Sequence, residues 1–240
     1  MLRQIQKTKI VTIFLLALGS LGSSISYAQD SQTDLWSNPD FLERFLGTFS
    51  PRITVEPRLG PEDKTFLEEE FLPVILTDKV AAQAMLVKKA GNPDSNATYS
   101  MILANMYYQG GQLQQAVQSY EDAISKHKDF VRAHENLGFL YFQLGNEEKT
   151  LEHFTTAVKL GAVDKNIYAI LAYLFFEKEQ FIAAETSYRS ALIYEVENED
   201  WEYGLAKSIL FQRKFQDAAG LFDRLITGAP EQAEYWRLQA

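Results

Sequence analysis

The chain has 240 residues, 46% of them hydrophobic and 13% aromatic, with 23 Lys+Arg against 32 Asp+Glu and a formal charge of −9. This acidic balance argues against nucleic acid or an anionic membrane surface as the main partner, because both reward clustered Lys and Arg. Cysteine is absent, so the fold must hold together by burial and not by disulfides, and there is no thiol to carry a bacterial lipid anchor.

Arg3, Lys7 and Lys9 precede an apolar run from Ile10 to Leu21, followed by Ser26-Tyr27-Ala28. Residues 1–28 therefore read as a secretory signal peptide cut after Ala28, its apolar run being shorter than the roughly 20 residues that span a bilayer. Removing them takes away three basic residues and no acidic one, which leaves the remainder more acidic still. Export without cysteine or lipid anchor points to a bacterial periplasm. Residues 29–60 form an N-terminal segment: Asn38 and Pro39 open a short helix carrying Phe41, Leu42, Phe45 and Leu46, Gly47 ends it, and an extended connector with Pro51 and Pro57 follows. A helix is predicted from Pro61, with Leu67, Phe71, Val74 and Ile75 at helical spacing and Pro73 bending its end. Another runs from about Asp78 to Ala90, with Val80, Ala84 and Val87 on one face.

From Ala97 the chain repeats every 34 residues, with further starts at Val131, Lys165 and Glu199. Positions 7, 11 and 24 of each repeat are large and apolar, and positions 8, 20 and 27 are small. In the first repeat these are Leu103, Tyr107 and Tyr120, with Ala104, Ala116 and Ala123; only Thr150 and Leu225 depart from the pattern. Small residues at 8 and 20 let two helices approach closely, and the aromatic residues fill the space beside that contact. This pattern resembles the tetratricopeptide repeat, in which each unit is a pair of antiparallel helices that needs a neighbour to cover it.

The resemblance implies an all-α, right-handed α-α superhelix of four clear hairpins, at 97–130, 131–164, 165–198 and 199–232. A degenerate capping hairpin at 61–96 precedes them, its Ala82 at position 20 and its Glu68-Glu69-Glu70 run a solvated outer face. Residues 233–240 start a fifth helix, read as cut short. Gly110-Gly111 and Gly145-Asn146 occupy the turns between paired helices, where a positive φ is commonly needed, and Glu179 and Arg213 stand at the corresponding places.

Catalytic and metal chemistry finds little support. His127, His134 and His153 lie at no metal-ligand spacing from one another, so no metal, cofactor or catalytic residue is assigned. Glu195, Glu197, Glu199 and Asp200 lack the glycine and spacing of a calcium loop and read as a solvated junction. The resemblance implies a concave surface lined by the first helix of each hairpin. Its candidate partner-binding residues here are Asn105, Tyr108, Arg132, Asn136, Phe139, Phe142, Tyr173, Phe176, Tyr203 and Lys207. An aromatic groove of this kind suits an apolar segment of a partner protein or peptide. The family's carboxylate clamp is incomplete: Asn105 and Asn136 match its asparagines, but Met101, Asn166 and Ile170 stand where cations belong.

The expectation is a non-catalytic periplasmic scaffold, with no nucleic-acid partner and no direct lipid anchor. Signal peptide, N-terminal hairpin and the stretch from Asn166 to Gln216 look like exported repeat proteins encoded beside TonB-type energy-transduction components, which implies an accessory of outer-membrane uptake. Two alternatives stand beside it. One is an assembly factor for a pilus, secretion or outer-membrane insertion machine, and the other is the non-catalytic part of a longer enzyme.

Overall fold

A computed structural model describes residues 56–239. The signal peptide expected at residues 1–28, the helix expected at Asn38–Gly47 and the connector residues Ile53 and Val55 lie outside the described residues. The described chain is helical and contains no strand. It divides into two compact lobes, one up to Asn146 and one from Glu147, so that the first helix of the second repeat belongs to the N-terminal lobe and its second helix to the C-terminal lobe.

In the N-terminal lobe, α1 (Pro61–Thr65) runs through a π-helical turn (Phe66–Phe71) into α2 (Leu72–Ile75). The widened turn sits just ahead of Pro73, which has no N–H and whose ring would crowd the carbonyl four residues earlier. It also changes what is buried. Phe66 and Phe71 are five residues apart, a separation that splits them between two faces of an α-helix, yet both are buried beside Leu67 and Ile75. Residues Glu68, Glu69 and Glu70 are exposed.

The next helix, α3 (Lys79–Ala90), is capped by the Asp78 carboxylate, which accepts from the Val80 and Ala81 amides at 3.0 and 2.9 Å. Its buried face is Ala82, Leu86 and Ala90, whereas Val80 and Val87 are exposed, at 79% and 46%. This corrects the face expected from apolar periodicity. Ala82 and Leu86 occupy positions 20 and 24 of the repeat, so the packing register of the hairpin overrides the more hydrophobic valines. The lobe continues with α4 (Ala97–Gln109), α5 (Leu113–Lys126) and α6 (Val131–Gln143). Ala104, Ala116 and Ala123 are fully buried where these helices meet, around Tyr120, Phe130 and Leu137.

The C-terminal lobe comprises α7 (Glu147–Lys159), α8 (Lys165–Glu177), α9 (Phe181–Tyr194), α10 (Glu199–Phe211), α11 (Phe215–Gly228) and α12 (Ala233–Gln239). Asp164 and Asn198 cap α8 and α10 through backbone amides. The core of α8 to α12 gathers Ala172, Tyr188, Leu205, Ala206, Phe222, Leu225 and Tyr235. Gly204 leaves room for a neighbour: a Cβ there would lie 2.3 Å from the Tyr188 ring. In α12 Tyr235 is buried, and Trp236 is half exposed with its indole N–H on the Pro230 carbonyl at 3.1 Å.

One turn recurs at the fifteenth position of every repeat. Gly111 and Gly145 have φ of 72° and 75°, and Glu179 and Arg213 hold 59° and 63° at the same place. The shared left-handed turn confirms the expectation from the glycines and shows two repeats sustaining it with side chains that disfavour it.

Candidate functional site

The first helices of the N-terminal lobe, α4 and α6, carry six of the predicted residues. The structure brings Asn105 and Asn136 together: the Asn136 amide donates to Asn105 Oδ1 at 3.2 Å, and the buried Tyr120 hydroxyl donates to the same oxygen at 2.5 Å. Burial pushes the Tyr120 pKa up, partly opposed by hydrogen bonding with Asn136. Tyr108 is half-buried and donates to Gln143 Oε1 at 2.9 Å. At the head of α6, Arg132 is held by Glu56, with Nε 3.1 Å from Oε2 and its backbone N–H 3.3 Å from Oε1. Phe139 and Phe142 are half-buried further along α6.

Sequence reasoning passed over Glu56, which stands in a Pro-rich connector with no periodicity. The strap to which it belongs is fastened again at Arg58, whose carbonyl accepts from Asn96 at 2.8 Å, and at Asp63, which accepts from the Tyr99 hydroxyl at 2.7 Å. Burial first, and the Asp63 carboxylate second, raise the Tyr99 pKa.

In the C-terminal lobe Phe176, Tyr203 and Lys207 converge from α8 and α10. The Lys207 ammonium lies 4.7 Å from the Phe176 ring centre and 5.1 Å from that of Tyr203. Among the described residues it makes no hydrogen bond and no ion pair. Desolvation lowers its pKa, while the charges of Glu234 and Glu177 act in the opposite direction. Tyr203 packs on Phe222 and Tyr235, and its pKa is raised by burial and by the Glu234 carboxylate. Beside this group Phe181 and Phe211 stack at 5.1 Å, each also edge-on to Phe176, and Phe211 remains 54% exposed. The half-buried Tyr173 lies one helical turn before Phe176 on α8.

A different cluster of polar side chains lines a cavity of about 720 Å³ formed by α3, α4 and α5. There the Ser100 hydroxyl donates to Asp122 at 2.5 Å. Lys126 reaches Asp122 at 2.7 Å, Ser100 at 3.1 Å and the Ala90 carbonyl at 2.5 Å. Serine beside lysine suggests a nucleophile, but Ser100 is fully buried in α4 and Lys126 is committed to the end of α3. The cluster is a polar lock between hairpins. Among the described residues no group of His, Cys, Asp or Glu could hold a metal ion, and no helix is long and apolar enough to cross a membrane. His134, expected as a satisfied helical histidine, sits 3.0 Å from the Lys128 carbonyl.

Family models described as TPR repeat and tetratricopeptide repeat match residues 104–145 and 131–160. Residues 104–160 are thus matched as tetratricopeptide repeats. No curated protein matches the sequence. Solved structures with the same fold include YrrB, described as a TPR protein with an unusual peptide-binding site, at 16% identity and a TM-score of 0.54, with 71% of this chain and 80% of that one covered. A tetratricopeptide repeat protein from Parabacteroides merdae aligns at 21% identity and 0.52, covering 75% and 72%. MamA from AMB-1 aligns at 14% identity and 0.56, covering 72% and 94%. These likenesses establish the TPR solenoid fold. Repeats of this kind are generally non-catalytic scaffolds for protein–protein interaction.

Proposed function

We propose that this TPR protein is an exported, non-catalytic scaffold of the periplasm that holds a segment of a partner protein on the concave side of its repeats, as an accessory of TonB-type outer-membrane uptake. The observation that carries the binding reading is Lys207. A desolvated ammonium between two aromatic rings, without a hydrogen-bond acceptor of its own, is costly unless something supplies one. A partner backbone carbonyl or carboxylate would do so while its apolar side chains pack on Phe176 and the exposed face of Phe211. The basic, apolar and small-residue order of residues 1–28 supports export, and the absence of cysteine agrees with an unlipidated periplasmic chain.

In-cell photocrosslinking from position 173, with mass spectrometry of the adducts and Glu152 as the control site, tests this. Capture of one envelope protein from position 173 and not from 152 is expected. Lys207→Met keeps the apolar contact and removes the charge, and should cut that capture at least tenfold, about what loss of a hydrogen bond to a charged group implies. Capture unchanged by Lys207→Met would remove the ammonium from the site. Co-purification with the energising complex is expected of an uptake accessory, and co-purification with pilus or secretion components would replace that role.

A further inference from the structure

The C-terminal lobe carries a second apolar surface, where α9 runs out and α10 begins. Ile193, Tyr194 and Val196 are 71%, 53% and 70% exposed, and Val163, just ahead of α8, is 49% exposed. They form one surface and are not scattered side chains. The Tyr194 ring lies parallel to that of Tyr168 on α8 with centres 6.4 Å apart, and Lys165 reaches Glu195 at 2.6 Å, drawing the start of α8 to the end of α9. The face that α9 buries is Ala184, Ser187, Tyr188 and Ala191, so the packing of the hairpin makes no use of Ile193 or Val196. Phe176 stands eleven residues beyond Lys165 on α8, roughly 16 Å away at 1.5 Å per residue, which separates this surface from the one around Lys207.

We propose that this surface docks a basic amphipathic segment of a partner protein, whose apolar side chains cover Ile193, Tyr194 and Val196 while its lysines and arginines meet the acids beside them. Charge selects this occupant. Residues 193–202 contain five acidic residues and no basic one. Glu195 is bonded by Lys165 and Asn198, and Glu199 accepts from the Tyr235 hydroxyl at 2.5 Å. Glu197, Asp200 and Glu202 make no hydrogen bond or ion pair among the described residues. The first turn of α10 is a favourable place for Asp200 and Glu202, but Glu197 lies before the helix. A second copy of the chain would press two such acidic edges together, and an anionic lipid surface would be repelled in the same way. An uncharged apolar partner would cover the side chains and desolvate the carboxylates without return. A basic amphipathic segment answers both needs, and charge pairing at the rim adds specificity and speed of association.

Fluorescence anisotropy of a labelled leucine–lysine amphipathic peptide, titrated with the purified protein, tests this. Saturable binding is expected, weakened by added salt and absent for a leucine–glutamate peptide of the same pattern. Ile193→Ser combined with Val196→Ser should weaken binding about tenfold, on the scale of two aliphatic side chains partly covered, and Glu197→Lys should weaken it severalfold. Ile182→Ser, at the far end of α9 and 73% exposed, should leave it unchanged. All four positions are exposed, so helical circular dichroism should not change and a loss of binding is read as a loss of contact. The proposal is overturned by lack of saturable binding, by equal binding of the two peptides, or by an equal loss in Ile182→Ser. A dimer in sedimentation that the double serine variant dissolves would also overturn it, giving the surface to a second copy. The concave-side reading fails or stands separately, on capture from position 173 in cells.

Discussion

The two lobes present the same kind of helix face with opposite polar economies. In the N-terminal lobe Asn105, Asn136 and Tyr120 satisfy one another, Tyr108 bonds Gln143, and Arg132 is neutralised by Glu56. In the C-terminal lobe Lys207 lies between two rings with no hydrogen-bond acceptor among the described residues, beside a partly exposed phenylalanine stack. Polar groups that bond within the chain rigidify a surface and offer little to a ligand. A buried donor left over offers much, because the acceptor that completes it is supplied from outside. An aromatic groove read as uniform along the repeats is thus two chemically different surfaces.

The most severe way to disturb the contrast is at Gly204. The sixth position of the other repeats carries Ile102, Asn136 and Ile170, but in α10 it must admit the Tyr188 ring. Gly204→Ala should cost about 1–3 kcal/mol, the usual range for overpacking, and a urea titration showing no loss would mean that the ring turns aside freely. Next come the paired tyrosines at position 24. Tyr120→Phe removes a hydroxyl bonded to Asn105 and should cost about 1–2 kcal/mol. Tyr188→Phe removes one with no hydrogen bond among the described residues and should be nearly neutral. Equal losses in the same titration would erase the difference between the lobes.

Glu185 tests charge in the C-terminal lobe. Burial alone would raise its pKa, but hydrogen bonds from Lys214, Gln212 and Arg189 together bring it below the ordinary glutamate value. A depressed carboxylate contributes stability that is present above its unfolded pKa and is lost as pH falls through its folded one. Both cations are about half exposed, so the contribution should be about 1 kcal/mol or less. Melting curves of Glu185→Gln should therefore diverge from the parent at neutral pH and converge below the ordinary glutamate range. The smallest effect is expected from Arg213→Gly, which relieves a left-handed residue and should gain about 0.5–1 kcal/mol, net of the extra freedom glycine gives the unfolded chain. Glu179→Gly should behave alike, and a loss of stability in either would show that the side chain makes up for its strained backbone.

Periodicity alone determined a good deal. The 34-residue spacing of large and small residues prescribes paired helices at close approach, because only small side chains at positions 8 and 20 permit that separation, and it placed the left-handed turns at Gly111, Gly145, Glu179 and Arg213. It even located the buried Ala82 of the degenerate hairpin. Local hydrophobicity, read by itself, chose Val80 and Val87 instead. What only tertiary structure decided are matters of partnership between residues distant in sequence. Phe66 became core because a π-turn ahead of Pro73 rotated it there, and Gly204 had to be glycine because a tyrosine from the preceding repeat fills its place. Most consequentially, Arg132 and Lys207 were equivalent groove cations in the sequence. Glu56, 76 residues from Arg132, made one a clasp, and among the described residues no such carboxylate bonds Lys207, which left the other open, because an ion pair depends on distance in space and the repeat pattern encodes distance only along the helix.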